Sequence, residues 1–376
     1  MQLPALPLLT ADLPGIGGRI KTVPEDFEVE EIPAYEPAGE GPHLLVWVQK
    51  RHRSTPDLLR LVARRLGLPI SEIGCAGLKD RHALTRQWLS VPESAEPRLA
   101  QLDDADIEVL RVSRHRNKLR TGHLRGNRFR VLVRGVAADC YTLASAIVAR
   151  LRAFGLPNFF GEQRFGHHGQ TALCGMALLQ GKPIPDPSDA RPTNRPTGRP
   201  PRTTDPLFRR LALSAVQSLA YNDYLAERIN DGLYRRVLPG DVMTKWPTGG
   251  LFCAEHLSIE QTRLDAHETV TAGPIFGRKT FPARDEAARR EQLIRQRYHL
   301  EPANLTRFGK LMAGTRRPNQ VYLDDLTMQL EPDGLRLSFS LPAGSYATVL
   351  LRELMKPAVG NSLADESNED DAADHD

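Results

Sequence analysis

Strand patterns and helix patterns follow one another irregularly through the first 155 residues, and this order is the strongest constraint on the fold. Lys21 to Pro33 alternates apolar and polar residues as a half-buried strand does, and His43 to Lys50 has a second strand pattern. Ser54 to Gly67 has a hydroxyl cap, a proline in its first turn, helical apolar spacing and a terminal glycine. This order predicts an α+β fold with a mixed, largely antiparallel sheet.

Weaker patterns extend the prediction along the chain. Further strands are predicted at 84–91, 107–112, 129–133 and 335–341, and further helices at 141–154, 207–229, 292–299 and 346–355. A polar, proline-rich stretch at 181–206 predicts a loop, and the composition of residues 361–376 predicts a disordered acidic tail.

Length and composition exclude several classes of protein. The 376 residues exceed the usual size of one domain, so two domains are expected. No apolar run reaches 18 residues and the N-terminus lacks a signal-peptide pattern, so we expect a cytoplasmic protein without a membrane span. The four cysteines form no C-x-x-C pair and have no histidine at zinc-ligand spacing, which predicts reduced thiols and no metal.

Charge is distributed unevenly between the body of the chain and its end. The net charge is +4, but residues 364–376 contain seven acids and no Lys or Arg. Without them, 50 basic residues face 39 acidic residues, a net charge of +11. A basic body favours a polyanionic partner.

The densest basic stretch runs from Arg111 to Arg130 and has eight Lys or Arg residues, two histidines and no acid. Such a run repels itself and needs counter-charges or a polyanion nearby. One interpretation is a solvated hairpin face, but the absence of any interleaved acid favours contact with RNA phosphates. The cations assigned to the RNA backbone are Arg114, Arg116, Lys118, Arg120 and Arg125.

Asp80 lies between Lys79 and Arg81 in a predicted loop, with Arg86 a few residues further on. A lone Asp in a loop is usually a turn former or a helix cap. Here we expect the surrounding cations to keep the carboxylate ionised. An anion repels bound phosphates, so binding does not explain this residue, whereas chemistry on a nucleotide does. The sequence therefore predicts that Asp80 is a catalytic carboxylate.

No cofactor motif accompanies this carboxylate. The loop from Pro157 to Gly166 has three Phe and two Gly, but neither a dinucleotide-binding fingerprint nor a P-loop. It is interpreted either as a domain-junction turn with core aromatics or as a direct RNA contact. The chain has no G-x-S-x-G elbow and no H-E-x-x-H, so we expect neither a metal nor a small-molecule cofactor.

Several short segments share one order along nearly the whole chain. They are Lys21-x-x-Pro24-Glu25-Asp26-Phe27-x-Val29-x-Glu31, Ala76-Gly77-Leu78-Lys79-Asp80-Arg81, Lys118-Leu119-Arg120-x-Gly122, Gly126-Asn127-x-Phe129, Asn158-Phe159-Phe160-Gly161-Glu162-Gln163-Arg164-Phe165-Gly166, Leu341-Pro342-Ala343-Gly344-Ser345-Tyr346-Ala347-Thr348 and Arg352-Glu353-Leu354. In this order they resemble the TruD family of tRNA pseudouridine synthases.

The resemblance implies a pseudouridine-synthase catalytic domain interrupted by an inserted α/β TRUD domain. The first part of the catalytic domain is expected at 1–155, the insertion at 156–317, the return segment at 318–360 and the tail at 361–376. The implied activity is isomerisation of uridine 13 in tRNA to pseudouridine. A monomer is expected, although the sequence does not fix the oligomeric state. By carry-over, Asp80 is the catalytic aspartate, while Phe27, Asn127 and Tyr346 line the uridine site. Tyr346 stands where the family commonly has Phe.

This reaction breaks the C1′–N1 bond, rotates the uracil and joins C5 to C1′, so it needs no cofactor. The base must leave its stack, and an aromatic face offsets that cost by about 1–3 kcal/mol. Phe27 and Tyr346 are the predicted stacking residues, with Phe129 in reserve. Lys21 is predicted to pair with Asp80, and Asn127 to hydrogen-bond the uracil edge or the Asp80 loop. The sequence leaves open whether Asp80 is a nucleophile or a base.

Two other functions would explain part of this pattern. A non-catalytic RNA-binding protein, such as a chaperone of RNA structure, explains the basic surface and the aromatics but not Asp80. A methyltransferase needs a glycine-rich cofactor loop after a strand, which the sequence lacks.

Overall fold

The computed structural model describes residues 5–184 and 206–357, so the predicted tail and all but the ends of the predicted proline-rich loop lie outside the described residues. The strands are β1 (Gly17–Arg19), β2 (Phe27–Pro33), β3 (His43–Lys50), β4 (Gly74–Cys75), β5 (Leu84–Pro92), β6 (Ile107–His115), β7 (Leu124–Val136), β8 (Leu156–Pro157), β9 (Val242–Lys245), β10 (Leu251–Cys253), β11 (Thr269–Ile275), β12 (Thr315–Pro318), β13 (Gln320–Val321), β14 (Thr327–Glu331) and β15 (Gly334–Pro342). The α-helices are α1 (Thr55–Leu66), α2 (Cys140–Phe154), α3 (Gln170–Gln180), α4 (Pro206–Asn230), α5 (Leu257–Asp265), α6 (Asp285–Arg297), α7 (Pro302–Phe308) and α8 (Ala347–Met355).

The chain forms two compact units. One, called the sheet unit here, comprises the described residues of Leu13–Ala149 and Leu323–Asp376. The other, called the helix-rich unit, comprises those of Met1–Asp12 and Arg150–Tyr322. The first division therefore falls within α2, near the bound of 155 expected from the sequence, and the second falls near 317. Residues up to Asp12 belong to the helix-rich unit, whereas the sequence prediction grouped them with the first domain.

The sheet unit is built on one large sheet in the order β14-β15-β7-β2-β5-β3-β6, with β1 added to β7 and β4 added to β5. In the described part of the chain, β2 and β5 run parallel and the other neighbours of this sheet run antiparallel. The prediction of an α+β fold with a mixed, largely antiparallel sheet is confirmed. Residues from both ends of the chain contribute strands to this sheet.

Helix α1 has the signals that the sequence predicts for it. The backbone N–H of Asp57 donates to Ser54 Oγ at 3.3 Å at the start, and Gly67 ends the helix with φ 60°. Its apolar face packs on the alternating apolar residues of β3. The residues in this contact are Leu58, Leu61, Val62, Leu66, Leu44, Val46 and Val48. This packing covers one face of the sheet at β3 and β5.

The basic stretch is not a hairpin, which corrects one interpretation of the sequence. Strand β6 pairs with β3 at one edge of the sheet, whereas β7 lies between β2 and β15. Val131, Leu132 and Val133 are all buried, so β7 is covered on both faces and takes a central place in the sheet. The helix predicted at 292–299 is also displaced, because α6 begins at Asp285 and ends at Arg297.

The helix-rich unit combines α3, α4, α6 and α7 with an antiparallel sheet in the order β10-β9-β11-β12 and a β8–β13 pair. Its core includes Val216, Leu219 and Phe276. A buried ion pair joins Arg228 to Asp241 at 2.8 Å. Phe159 and Phe165 of the loop 157–166 are buried, as expected for core aromatics.

Within residues 5–184 and 206–357, no helix has the length and apolarity needed to cross a membrane. Cys140 and Cys174 are buried, Cys75 and Cys253 are half-buried, and none of the four forms a disulfide bond.

Strands β7 and β15 approach very closely at Gly126, which gives a first prediction. A Cβ on Gly126 would lie 2.2 Å from the carbonyl oxygen of Leu341, so the two strands would have to separate. We expect Gly126→Ala to lower the free energy of unfolding by about 1–3 kcal/mol, as overpacking does. The measurement is urea unfolding followed by circular dichroism.

Gly135→Asn in the same strand is the control for Gly126→Ala. Gly135 has φ +64°, a conformation that Asn tolerates, and nothing lies within 4 Å of its added Cβ. Equal midpoints for Gly126→Ala and the native chain would contradict the close approach of the two strands.

Candidate active site

The loop that carries Asp80 connects β4 to β5 and alternates between buried and exposed residues. Leu78 is 74% exposed, Lys79 is 7% exposed, and the Asp80 side chain is 57% exposed. The Lys79 side chain therefore enters the protein, while Asp80 points to solvent. The loop therefore presents an exposed carboxylate at Asp80, and the residue just before it, Lys79, anchors the loop in the protein.

Lys21 lies beside Asp80 and is almost fully covered. Its Nζ is 3.3 Å from Asp80 Oδ2, and its side chain is 10% exposed. In the described part of the chain, Asp80 Oδ1 accepts no hydrogen bond, so one carboxylate oxygen is free. Lys21 has φ 59°, a left-handed conformation that is uncommon for a residue with a side chain and marks local strain.

Phe27 and Phe129 lie beneath Lys21 and are buried. Lys21 Nζ sits over the Phe27 ring, 4.7 Å from its centroid, and Phe129 meets Phe27 edge-on at 6.1 Å. The Phe129 ring stacks on Phe339 at 5.2 Å. Only 3% of Phe27 and 7% of Phe129 are exposed, so neither presents a free face to a base. Other side chains cover both rings in this arrangement, and the stacking roles of Phe27 and Phe129 stay a prediction.

Asn127 is half-buried and stands opposite Glu31 in the pairing of β2 with β7. On its other side it stands opposite Leu341 of β15. Its Oδ1 is buried and has no hydrogen-bond partner in the described residues. An unsatisfied buried acceptor is costly, and Asn127 Oδ1 can still accept one hydrogen bond at this point of the sheet.

Glu31 and Lys79 form a buried ion pair under the Asp80 loop. Lys79 Nζ lies 3.0 Å from Glu31 Oε2, and the two side chains are 4% and 1% exposed. Burial raises the pKa of Glu31, and the Lys79 ammonium acts in the opposite direction. The pair fixes the residue immediately before Asp80.

Thr55, at the start of α1, holds the main chain of the same loop. The Lys79 N–H donates to Thr55 Oγ1 at 2.8 Å, and the Thr55 hydroxyl donates to Gln87 Oε1 at 3.0 Å. The Thr55 N–H donates to the Lys79 carbonyl at 3.3 Å.

Lys50, at the end of β3, donates from Nζ to the Asp80 carbonyl at 2.8 Å and also to the Arg53 carbonyl. Hydrogen bonds from the start of α1 and from the end of β3 to the main chain thus fix the loop.

Tyr346 is half-buried and precedes α8 as its N-cap residue. The segment that leads to it leaves β15 after Pro342 and is tied to β7, because the Ala343 N–H donates to the Arg125 carbonyl at 2.9 Å. Of the three predicted aromatics, Tyr346 is the one that stays partly exposed.

The cations of the basic stretch differ in whether acids already pair with them. Arg114 pairs with Glu93 and with Glu96, the latter at 2.8 Å. Arg116 pairs with Glu40, and Lys118 donates to the Ser71 carbonyl. These partners come from distant segments of the chain, so the acids do not interleave with the cations in the sequence.

Arg120 and Arg125 are exposed, and in the described part of the chain their guanidinium groups form no ion pair. Both lie near the site. The Gly122 N–H donates to the Ala76 carbonyl at 2.8 Å, which places the Arg120 segment against the start of the Asp80 loop. Arg125 is joined to the segment that leads to Tyr346, as described above.

Sequence reasoning missed Lys50, Thr55 and Gln87. Lys50 had a usable signal, because it continues the buried alternation of Leu44, Val46 and Val48 at the end of β3. Thr55 and Gln87 had none, since a helix-cap threonine and a strand glutamine are common. In residues 5–184 and 206–357, no group of three His, Cys, Asp or Glu side chains is arranged to hold a metal.

The buried Glu31–Lys79 pair gives a second prediction. We expect Glu31→Leu to lower the free energy of unfolding by about 3–5 kcal/mol, because it leaves the Lys79 charge buried and unpaired. Adding Lys79→Met should recover most of that loss, since no charge then remains buried. Urea unfolding of the two single variants and the double variant measures the coupling.

Glu30→Leu is the matched control for that cycle. Glu30 is the preceding residue of β2, its side chain is 37% exposed, and it pairs with Arg128 at 3.0 Å and with Arg86 at 3.9 Å. An exposed pair contributes about 0–1 kcal/mol, so this change should be nearly neutral. Strictly additive losses for Glu31→Leu and Lys79→Met would show that the two side chains do not interact.

Comparison with known proteins identifies the family of this chain. The model of the family described as tRNA pseudouridine synthase D (TruD) matches residues 6–184 and 202–354. A tRNA pseudouridine synthase D of Anaeromyxobacter dehalogenans is 47% identical over 93% of this chain and 96% of its own length. One of Thermus thermophilus is 42% identical over 97% of this chain and 96% of its own length.

A solved structure has the same fold. The TruD crystal structure from Methanosarcina mazei covers 95% of this chain and 99% of its own, with a TM-score of 0.71 and 25% identity. A family model that matches most of the chain, together with relatives above 40% identity along nearly its full length, leaves one assignment. The chain belongs to the tRNA pseudouridine synthase D (TruD) family.

Proposed function

We propose that this chain converts uridine 13 of tRNA to pseudouridine and that Asp80 is the catalytic carboxylate. Membership of the family makes it an isomerase that acts on uridine in tRNA. The observation that carries the role of Asp80 is the carboxylate itself, which has one oxygen fixed by Lys21 at 3.3 Å and one oxygen free. An exposed anion on a rigid loop in a basic protein is suited to chemistry and poorly suited to phosphate binding.

The reaction itself requires no external group. The C1′–N1 bond breaks, the uracil turns, and a C5–C1′ bond forms, so the product is an isomer of the substrate. We therefore propose that no small-molecule cofactor takes part. Asp80 acts as a nucleophile on C1′ or on the ring, or as a base that removes a sugar proton, and in each case the free oxygen is the reacting atom.

The extruded base needs a stacking face, and we propose Tyr346 for that role. Stacking on an aromatic ring contributes about 1–3 kcal/mol per base. Phe27 and Phe129 instead form the floor, where they hold Lys21 and the neighbouring strand residues in place. Asn127 is half-buried, and we propose that it hydrogen-bonds the uracil edge or, through its buried Oδ1, the Asp80 loop.

We propose that the tRNA backbone binds along the basic stretch. Arg120 and Arg125 contact phosphates directly, because no acid in the described part of the chain pairs with them. Arg114, Arg116 and Lys118 contribute by exchanging their present partners for phosphates. Exchange is weaker than direct binding, because an existing ion pair or hydrogen bond must break first.

The two units fit a catalytic domain and an inserted domain. We propose that the sheet unit is the pseudouridine-synthase domain and that the helix-rich unit is the inserted TRUD domain. All the residues of the proposed site belong to the sheet unit of one chain. This supports action as a monomer, and we propose that the enzyme works in the cytoplasm, where it meets tRNA.

Asp80→Asn is the test of the catalytic role and the third prediction. It keeps the shape of the side chain and removes its charge, so we expect loss of pseudouridine formation with tRNA affinity changed by less than about threefold, or roughly 0.7 kcal/mol. Single-turnover assays on unmodified tRNA, with pseudouridine mapped by chemical modification and primer extension, give the rate and the position. Modification at a position other than 13 would overturn the proposed target.

Asp333→Asn is the matched control for Asp80→Asn. Asp333 also lies in the sheet unit, its side chain is 66% exposed, and it pairs with one cation, Arg134, at 3.0 Å. We expect full activity from this variant. Equal rates for the two variants would remove Asp80 from the chemistry.

Salt dependence tests the phosphate contacts and supplies the fourth prediction. Each direct phosphate contact contributes about 0.7–0.9 to the slope of log affinity against log salt. We expect Arg120→Ala and Arg125→Ala each to reduce the slope by about that amount. Arg114→Ala is the internal comparison and should change the slope less. An unchanged slope for both Arg120→Ala and Arg125→Ala would exclude them as phosphate ligands.

A further inference from the structure

Lys50 is a buried cation that the chemistry described so far does not use. Its side chain is 0% exposed at the end of β3, on the face that carries Leu44, Val46 and Val48. Its Nζ donates to the carbonyl of Asp80 at 2.8 Å and to the carbonyl of Arg53. In the described part of the chain, no carboxylate lies within ion-pair distance of it. A lysine so placed is unusual, since buried charges are normally paired.

The ammonium is costly to keep at this position. Burial lowers the pKa of Lys50 to about 8, and the positive charge of Lys79 acts in the same direction. The negative charges of Asp80 and Asp57 act against this effect. An apolar residue of the same length, such as methionine, would avoid the desolvation of a charge.

The position of Lys50 suggests why the charge is kept. Its Nζ bonds the main chain of Asp80, while Lys21 bonds the side chain of the same residue. Thr55 and Glu31 fix only the preceding residue, Lys79. Lys50 is therefore the contact that fixes the backbone of Asp80 itself from inside the protein.

We propose that Lys50 is a positioning residue for catalysis. Its ammonium holds the Asp80 carbonyl and so sets where the free carboxylate oxygen stands relative to the ribose. The inference rests on the proposed catalytic role of Asp80. Lys50 touches no substrate, and it acts only through the geometry of the loop.

Lys50→Met tests the proposal by separating rate from binding. The variant keeps the length of the side chain and removes both donated hydrogen bonds. We expect the single-turnover rate to fall about 100-fold, the loss that a misplacement of about 1 Å produces. The dissociation constant for unmodified tRNA should stay within about twofold, because Lys50 makes no contact with RNA.

Leu102→Ala controls for a general loss of stability. Leu102 is 1% exposed and lies in the same core cluster as Val48, and the hydrogen bonds described above that fix the loop do not involve it. Removing its side chain leaves a cavity and lowers the melting temperature. At a temperature where both variants are folded, Leu102→Ala should keep the native rate. A Lys50→Met variant as active as Leu102→Ala would overturn the proposal.

The pH profile supplies a readout that a merely structural residue would not change. Lys50 is an ammonium below about pH 8 and a neutral amine above it, and a neutral amine is the weaker donor. The native rate should therefore fall as the pH rises through about 8. Lys50→Gln, whose amide donates equally at every pH, should lack this fall. Any fall that both proteins share arises from a group other than Lys50.

The outcomes separate this inference from the proposed function. If Asp80→Asn forms pseudouridine, the catalytic role of Asp80 fails and the inference fails with it. If Asp80→Asn is inactive while Lys50→Met keeps the native rate, only the role of Lys50 fails. If Lys50→Met does not fold, Lys50→Gln and the native pH profile decide, and identical alkaline profiles for the two would reject the proposal.

Discussion

The pairing of β7 with β2 on one side and β15 on the other is the constraint on which the site depends. It joins Phe27–Pro33, Leu124–Val136 and Gly334–Pro342, which are far apart along the chain. A slip of one residue in either pairing would turn every side chain to the opposite face. The register that places Asn127 between Glu31 and Leu341 therefore also places Phe129 between Val29 and Phe339. One strand thus aligns the three segments that carry the proposed uridine site.

Stability and function favour different residues beneath Asp80. The sheet there carries Glu31, Thr85, Gln87 and Lys50, all buried, with Lys79 entering from the loop above. Buried atoms in this layer, Glu31 Oε1, Thr85 Oγ1 and Gln87 Nε2, have no hydrogen-bond partner in the described residues. A packed apolar layer would be as stable or more so. Apolar residues, however, could not donate to loop carbonyls, and the loop would lose the bonds that fix it.

The sequence was sufficient to predict the helices and strands whose apolar residues repeat at a regular spacing. The cap at Ser54, the stop at Gly67 and the alternation of β3 are local signals, and the structure has each of them. The pairing partners of β6 and β7 are non-local, because they depend on which strands bury both faces. The same limit applies to the basic stretch, where Glu40 and Glu93 neutralise arginines from distant segments. Asp80 was predicted from its flanking cations and again from the family resemblance, and Lys21 from its position in the family motif. Lys50 required the three-dimensional contact.

The Asp80 loop is held in place by hydrogen bonds to its main chain. Thr55 and Lys50 bond backbone atoms of residues 79 and 80, and neither bonds the carboxylate. The shape of the loop is therefore encoded at positions other than the one that reacts. The residues that hold the loop and the residue that reacts can therefore change independently. A different acid, an amide or a thiol placed at position 80 by design would stand on a loop whose main chain is held as before.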